Sequence, residues 1–268
     1  MPSLDAFFES VQLPTMNEVA HALIRTLNDE NAKVETVSKI ISDDPALTAK
    51  ILRLANSAQF GLPRGVATID EAIQMVGLSK VRTLSLGACL NNAFPLVPGL
   101  DRREFWATST ACAGYAQWLA TPLGIDGQMA WLTGLMLRLG ELLIAQANPA
   151  VLQEIERLPH IPGGRWEREI RLVGFAESQI TAELARRWNF PMQMVQALHR
   201  AADPLTEQAF SRLGAILHLA GIIADTPQPD ASVIETLPVE VIDSLQLDID
   251  RLRTTFPLTD SFIDVAVA

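Results

Sequence analysis

Four histidines and two cysteines are the nitrogen and sulfur ligands that this 268-residue chain could offer to a metal, and the cysteines are also candidate nucleophiles. They are His21, His160, His199, His218, Cys89 and Cys112. A structural zinc site needs about four such ligands close together, and the cysteines have neither a CxxC spacing nor clustered histidines nearby. The pattern excludes a zinc ribbon and predicts two reduced core thiols, as in a cytosolic protein.

The spacing of the histidines does not indicate a catalytic group. His21 falls off the apolar face of its helix, and His160 lies in a Pro/Gly-rich loop without a visible partner. His199 and His218 lie on late helices and could approach one another, although a structural role is favoured over metal ligation. Nothing in the sequence brings Cys112 to a base, so no nucleophilic triad is indicated.

Charged residues form two notable groups. Arg138 and Glu141 are three residues apart within an apolar segment, and they can form an ion pair that satisfies buried charge. The basic cluster comprises Arg165, Arg168, Arg171, Arg186 and Arg187, interleaved with Glu167, Glu169, Glu177 and Glu183. Such alternation is typical of a solvated mixed surface rather than a nucleic-acid groove.

The composition restricts the partners. Lys+Arg 21 against Asp+Glu 31 gives a formal charge of −10, which repels phosphate backbones and anionic lipid. We therefore expect neither a nucleic-acid nor a membrane partner. The apolar segment 129–147 contains Arg138 and Glu141, so a core helix is favoured over a membrane span. The first residues lack a basic n-region, so a signal peptide is not expected and the location predicted is cytoplasmic.

The elements that must position these residues are predicted to be helices. Residues 15–18 (TMNE) and 68–71 (TIDE) match the capping box, and Asp44-Pro45 matches a helix start. No stretch alternates with period two, so the predicted fold is all-α. Later helices are expected near 79–94, 102–119, 131–147, 150–157, 166–173, 178–189, 191–201, 211–224, 239–245 and 248–265.

The breakers at residues 95–99 (PLVPG) are the best candidate boundary. They predict an N-terminal helical bundle over residues 1–97 and a second bundle over residues 98–268, packed together through apolar faces.

The first half resembles a known family. The matching features are Leu13-Pro14, residues 41–57 (ISDDPALTAKILRLANS) ahead of Phe60-Gly61, and residues 69–78 (IDEAIQMVGL). Their order and spacing resemble the HDOD family, the HD-related output domain of bacterial signalling proteins, and the resemblance extends in outline over roughly residues 10–225. It implies that the second half is a degenerate HD-type (phosphodiesterase-like) bundle.

HDOD proteins are similar to the HD phosphohydrolases, in which histidines and aspartates hold divalent metals that activate water. At the matching positions, Thr108 replaces the family's first metal-binding histidine and Leu137-Arg138 replaces its His-Asp pair. Glu177 stands where the family often has a further histidine. Ala201-Ala202 replaces a frequent histidine pair, and Gly221 replaces an aspartate. The resemblance therefore implies no bound metal, no cofactor, no catalytic residue and no enzymatic activity.

The function implied is a non-catalytic bacterial signal-transduction module that contacts signalling proteins. The candidate residues of a vestigial pocket, which could hold a small anionic ligand such as a nucleotide, are Thr108, Leu137, Arg138, Glu177 and Gly221. In the loop 56–65, Phe60 and Leu62 could contact a partner, or Phe60 could fill the junction between the two halves.

Two alternatives stay open: a metal-dependent phosphohydrolase with relocated ligands, and a small-ligand sensor. The sequence shows no receiver or GGDEF-like segment, so sensory input is expected from another polypeptide. The oligomeric state is left open.

Overall fold

The computed structural model describes residues 3–29, 31–58, 60–94, 97, 99–157, 161–206 and 210–262. These residues form sixteen α-helices and three short 3₁₀ helices and contain no β-strand, which confirms the all-α prediction. The first six helices are α1 Leu4–Ser10, α2 Glu18–Leu27, α3 Val34–Ser42, α4 Pro45–Ala55, α5 Ile69–Val76 and α6 Leu78–Ala93. The next five are α7 Arg102–Ala120, α8 Gly127–Met136, α9 Leu139–Ala147, α10 Pro149–Arg157 and α11 Gly164–Val173. The last five are α12 Glu177–Arg187, α13 Met192–Arg200, α14 Arg212–Asp225, α15 Val239–Leu245 and α16 Ile249–Thr254.

Side-chain caps fix where the first helices begin. The Thr68 hydroxyl accepts the N–H of Glu71 at 3.2 Å, and the Glu71 carboxylate accepts the N–H of Thr68 at 3.3 Å, so this capping box is confirmed. The Asp44 carboxylate caps α4 by accepting two backbone N–H groups at 3.0 Å. The cap predicted at Thr15 is wrong, because Asn17 accepts the N–H three residues later at 2.9 Å and begins α2. Asparagine is at least as good an N-cap as threonine.

The helix α6 is the centre of the first half. Every residue from 83 to 91 is buried, and the apolar faces of α2, α3, α4 and α5 pack against it. These faces arise from helical spacing of large aliphatic residues, of which Leu23, Ile41 and Ile51 are completely buried.

The apolar segment 129–147 forms two helices, α8 and α9, rather than the single helix predicted. Arg138 lies at the break with φ −92° and ψ 3°. The break brings the first turn of α9 against α12, where a Cβ on Gly140 would overlap the backbone carbonyl of Glu177. The N–H of Gly140 donates to the Thr181 hydroxyl at 2.7 Å, so α12 satisfies a group that a continuous helix would have bonded internally.

The two halves meet along α6, α7 and α8. Arg102 at the start of α7 donates to the carbonyl oxygens of Phe94 at 2.9 Å and Asn91 at 2.6 Å, at the C-terminal end of α6. Further along α6, a Cβ on Gly87 would lie 2.9 Å from the Leu135 side chain, so α6 and α8 are in close contact. These contacts hold the end of the first half directly on the second.

The division at residues 97 and 98 stays a prediction, and Pro95, Leu96 and Pro98 of the proposed boundary lie outside the described residues. The helix predicted over 248–265 is shorter: α16 ends at Thr254, and a 3₁₀ helix Thr259–Ser261 follows. Pro257 interrupts it, because proline lacks the N–H that helix continuation requires. Residues 263–265 are not among those described. In the described part of the chain, no helix combines the length and apolar character needed to cross a bilayer.

Candidate functional site

A cavity of about 460 Å³ opens between α7, α9, α10, α11 and the end of α14. Its walls carry three guanidinium groups and five carboxylates, from Arg138, Arg165, Arg168, Asp101, Glu104, Glu141, Glu156 and Asp225. A second cavity of about 20 Å³ adjoins it and shares Arg138 and Arg165.

The structure brings the five predicted pocket residues together. Thr108 lines the larger cavity, and Leu137, Glu177 and Gly221 line the smaller one. Arg138 lines both. Their role in binding a ligand stays a prediction.

Arg138 is held by carboxylates on α9 and on α14. Its Nε and Nη2 atoms donate to Oε2 of Glu141 at 3.1 and 2.9 Å, which realises the predicted ion pair. Its Nη1 atom lies 3.7 Å from Oδ1 of Asp225. Burial by itself lowers the pKa of Arg138, but the attraction of Glu141, Glu177 and Asp225 outweighs it and raises that pKa. Arg138 is therefore a permanent cation at the mouth of the smaller cavity.

Arg165 is the centre of the cluster, and the sequence did not single it out for this role. Its Nε atom donates to Oε1 of Glu169 at 2.7 Å and lies 3.4 Å from Oε2 of Glu177. Its Nη2 atom lies 3.4 Å from Oε1 of Glu141, and its Nη1 atom pairs with Glu156. Burial by itself lowers the pKa of Arg165, and the surrounding glutamates raise it well above the ordinary value.

The prediction of a solvated surface is wrong for this part of the basic cluster. The side chains of Arg165, Glu169 and Glu177 are 6%, 0% and 3% exposed. The i, i+4 spacing of an arginine and a glutamate does not tell whether the pair lies on the buried or on the exposed face of its helix. The signal that could have helped is Trp166 beside Arg165, which marks that face of α11 as facing the core.

Glu169 and Glu177 form a buried carboxyl pair. The backbone N–H of Glu177 donates to Oε2 of Glu169 at 2.7 Å, so both oxygens of Glu169 are hydrogen-bonded. Oε2 of Glu177 has no hydrogen-bond partner among the described residues. Burial, and then the neighbouring Glu169 carboxylate, raise the pKa of Glu177 well above its ordinary value. Burial raises the pKa of Glu169 as well, so the pair as a whole retains a proton under conditions in which exposed glutamates are ionised.

Leu137 and Gly221 close the smaller cavity by packing. Leu137 is 1% exposed, and a Cβ on Gly221 would lie 3.0 Å from Trp166 and 3.2 Å from Leu137. Glycine stands at this position of α14 because an indole fills the space that a longer side chain would need.

The two histidines of the later helices, His199 and His218, lie in surroundings that favour a structural role. Nδ1 of His218 lies 2.8 Å from the carbonyl oxygen of Ala201, and its ring lies 4.9 Å from that of Trp166. Burial lowers the pKa of both His218 and His199, so both favour the neutral form. Of the described residues, no three His, Cys, Asp or Glu side chains form a group that could hold a metal ion. His160 is outside the described part of the chain.

The two predicted partner-contact residues are half-buried. Phe60 and Leu62 both pack against the core, and the Lys80 ammonium lies 4.7 Å from the centre of the Phe60 ring. Phe60 therefore contacts the first turn of α6. Their role in binding a partner stays a prediction.

Chemically, this arrangement is a network of paired arginines and carboxylates, with carboxylates in excess, around a polar cavity. Each of the two most buried guanidinium groups, Arg138 and Arg165, is already paired with carboxylates. A Lewis acid would have to displace one of these cations to reach the carboxylates, so the residues present do not fit a metal ion.

Comparisons with known proteins agree with the fold. A structure of a candidate phosphohydrolase from Shewanella amazonensis SB2B superposes with a TM-score of 0.78 at 27% identity, over 98% of this chain and 96% of that one. An HDOD domain protein of unknown function from Geobacter sulfurreducens gives a TM-score of 0.69 at 21% identity, over 98% and 90% of the two chains.

A curated relative, an uncharacterized protein of Treponema pallidum (strain Nichols), is 28% identical over 179 residues, which are 65% of this chain. The match spans about a third (34%) of the length of that protein. The HDOD domain family matches residues 13–204, which include the Thr68 capping box and the buried Arg138, Arg165, Glu141, Glu169 and Glu177 side chains, whereas Gly221 and Asp225 lie beyond the match. The chain belongs to the HDOD domain family.

Proposed function

We propose that this chain is a non-catalytic signal-transduction module of the cytoplasm that acts by contacting other signalling proteins. One observation carries the proposal: Arg138 and Arg165 occupy the middle of the carboxylate cluster in the second half. The positions that correspond to HD-family ligands hold Thr108, Leu137 and Arg138 instead of metal-binding side chains.

Electrostatics supports a non-catalytic role. Arg138 and Arg165 already occupy the positions beside the buried Glu141 and Glu169, and at that close range their fixed charges repel a divalent cation with little screening. The carboxylates that could compensate, Glu141 and Glu169, each accept a hydrogen bond from a guanidinium group. Opening either pair would leave a buried arginine without its partner, which costs several kcal/mol.

The cavity favours a second candidate, a small-ligand sensor. Its volume of about 460 Å³ is typical of small-molecule sites. Carboxylates outnumber guanidinium groups five to three in its walls, so a polyphosphate such as a nucleotide would meet net repulsion. A zwitterionic ligand suits these walls better than the small anionic ligand first considered.

Metal content and hydrolysis test the main proposal. We expect purified chain to carry substoichiometric Mn and Fe by mass spectrometry, and to cleave neither bis(p-nitrophenyl) phosphate nor a cyclic dinucleotide above a buffer blank. Stoichiometric metal together with hydrolysis would establish the alternative, a phosphohydrolase with relocated ligands.

A variant in cells separates contact from catalysis. Asp225→Asn keeps the size of a cavity-lining side chain but removes one of the five cavity carboxylates, which are the groups that a hydrolase with relocated ligands could use here. If the module works by contact, the phenotype of a deletion strain is restored equally by the wild-type chain and by this variant at matched expression. Loss of rescue by a natively folded D225N chain would contradict the proposal.

A further inference from the structure

The C-terminal segment 255–262 lies across α7 and is held there mainly by two aromatic rings; we name this segment the strap. The Phe256 ring lies 5.6 Å from Tyr115 and 5.5 Å from Trp118, measured between ring centres. The Phe262 ring lies 4.9 Å from Tyr115 on an edge-to-face geometry. Tyr115 is therefore in contact with both rings of the strap.

Hydroxyl groups fix the register of the strap. The Tyr115 hydroxyl and the Thr259 hydroxyl lie 2.8 Å apart, and the Trp118 indole N–H donates to the Thr255 hydroxyl at 3.3 Å. The aromatic face of α7 thus offers apolar rings with polar tips, a combination that is enriched in protein interfaces.

Gly114 makes a socket for one ring. Any Cβ at Gly114 would overlap the ring of Phe262, so the ring lies directly on the backbone of α7. Glycine inside a helix lowers its stability, and its presence here is explained by the close approach of an aromatic side chain.

The strap lies in a groove on the surface of α7, and this groove is larger than the strap. A cavity of about 120 Å³ continues from Phe262 towards the first half of the chain. It is lined by Lys80 and Leu84 of α6, Gln128 and Trp131 of α8, and Gln117 of α7. A segment seated here would therefore contact both halves at their junction.

The strap is weakly held compared with the helices below it. Leu258 is 74% exposed, and Thr255, Asp260 and Ser261 are exposed as well. Segments with few buried contacts open locally at a much lower cost than the whole fold. We therefore expect the strap to open at a lower cost than α7.

We propose that the groove on α7 is a docking site for a partner segment, closed by the strap until a partner competes for it. The occupant that fits is a short segment with two aromatic residues six positions apart and a hydroxyl between them, because the strap, which contains the 3₁₀ helix Thr259–Ser261, has this chemistry. The inference rests on the proposed function, contact with signalling proteins, and names the surface and its regulation.

Peptide binding tests it. The probe is a fluorescein-labelled peptide of residues 255–262 (TFPLTDSF), and binding is followed by fluorescence polarisation. The open variant Phe256→Ala/Phe262→Ala should bind the probe about tenfold or more tightly than the intact chain, in which the tethered strap competes at high effective concentration. Leu258→Ala, which alters an exposed strap residue, should behave like the intact chain.

Two further controls address specificity. A peptide with both phenylalanines replaced by alanine should not bind, and Gly114→Leu in the open variant should abolish binding by filling the socket. A helical open variant that does not bind the probe, or binds both peptides equally, overturns the proposal. Dimers of the intact chain formed by exchanged straps would overturn the assignment to a partner.

Hydrogen exchange of the intact chain covers the case in which the open variant does not fold. Strap amides should exchange faster than those of α7, with rates insensitive to low denaturant. Exchange of the strap only through global unfolding would overturn the proposal. If the chain instead contained metal and hydrolysed phosphodiesters, the proposed function would be wrong. Peptide binding to the groove would still be a separate result.

Discussion

At the scale of single residues, Arg165 has more carboxylate neighbours than it can neutralise. It contacts Glu141, Glu156, Glu169 and Glu177, and only Glu156 among them is well exposed. A buried guanidinium group adds little net stability, because desolvation offsets its attraction to the carboxylates. Its removal is expected to lower stability strongly, because several carboxylates would then lie buried together without a cation.

Arg165→Ala should therefore destabilise the fold by about 3–5 kcal/mol, the usual cost of removing one partner of a buried ion pair. The matched control is Arg171→Ala, on the same helix and from the same basic cluster but exposed, which should change stability by no more than about 0.5 kcal/mol. Urea unfolding of the two variants measures the difference. Equal losses would mean that Arg165 is not the centre of the network.

The proton held by the coupled Glu169–Glu177 pair makes stability depend on pH. Between the ordinary pKa of a glutamate and the raised pKa of Glu177, the folded chain binds a proton that the unfolded chain has released. Stability from this residue therefore falls as pH rises through that window. Glu177→Gln removes the effect, so its stability relative to the wild type should increase with pH.

Glu183 on the same helix gives a control of opposite sign. Hydrogen bonds from Arg186, with a smaller contribution from Arg187, lower the pKa of Glu183, so its contribution is present above the ordinary pKa and is lost in acid. Glu183→Gln should lose stability relative to the wild type as pH rises. Thermal unfolding of both variants and of the wild type across a pH series measures how each variant's relative stability changes with pH. Changes of the same sign for the two variants would contradict the opposite pKa shifts given to Glu177 and Glu183.

At the scale of elements, local sequence chemistry predicts helix starts well where one residue has no competitor. Thr68 is the only capping side chain that suits α5, and the structure uses it. Near α2, Thr15 and Asn17 both can cap, and the spacing alone does not decide between them. The break between α8 and α9 could not be read from hydropathy, because it depends on the close approach of α12 to Gly140.

The two candidate caps give a direct comparison. Thr68→Ala removes the cap of α5 and should cost about 1 kcal/mol, whereas Thr15→Ala removes an exposed hydroxyl outside α2 and should cost close to nothing. Chemical denaturation of the two variants measures both values. A comparable cost at Thr15 would show that it, and not Asn17, begins α2.

A substitution that adds one methyl group at Gly140 tests the contact of α9 with α12. Gly140→Ala should destabilise by about 1–3 kcal/mol or more, because the added Cβ meets the backbone of Glu177, which cannot move without shifting α12. Gly127→Ala is the control, since its Cβ would lie 3.3 Å from flexible side-chain atoms of Gln117 and Thr121. Equal stabilities of the two variants by urea unfolding would place α9 farther from α12.

At the scale of the whole molecule, the family resemblance and its motifs predicted the fold, but they did not predict which charges are buried. The motifs that carried the HDOD resemblance lie in the first half, whereas the ion network depends on side chains from α9, α10, α11, α12 and α14. Arg165 and Glu169 are i, i+4 neighbours in the sequence, and only the packing of α10 against α11, with the contact of Arg165 to Glu141 of α9, decides that they are enclosed. The strap was predicted as part of a long helix, and its contact with α7 is long-range.

The two cysteines can test whether the halves at residues 1–97 and 98–268 unfold together. Cys89 lies on α6 and Cys112 on α7, and burial raises the pKa of each thiol to about 12, so neither reacts until its surroundings open. The contacts of Arg102 with the end of α6, and of α6 with α8, couple the halves. Pulsed alkylation along a urea gradient, read by peptide mass spectrometry, should therefore give the same midpoint for both thiols. Labelling of Cys89 at distinctly lower urea than Cys112 would mean that the first bundle unfolds alone and that the coupling through Arg102 is weak.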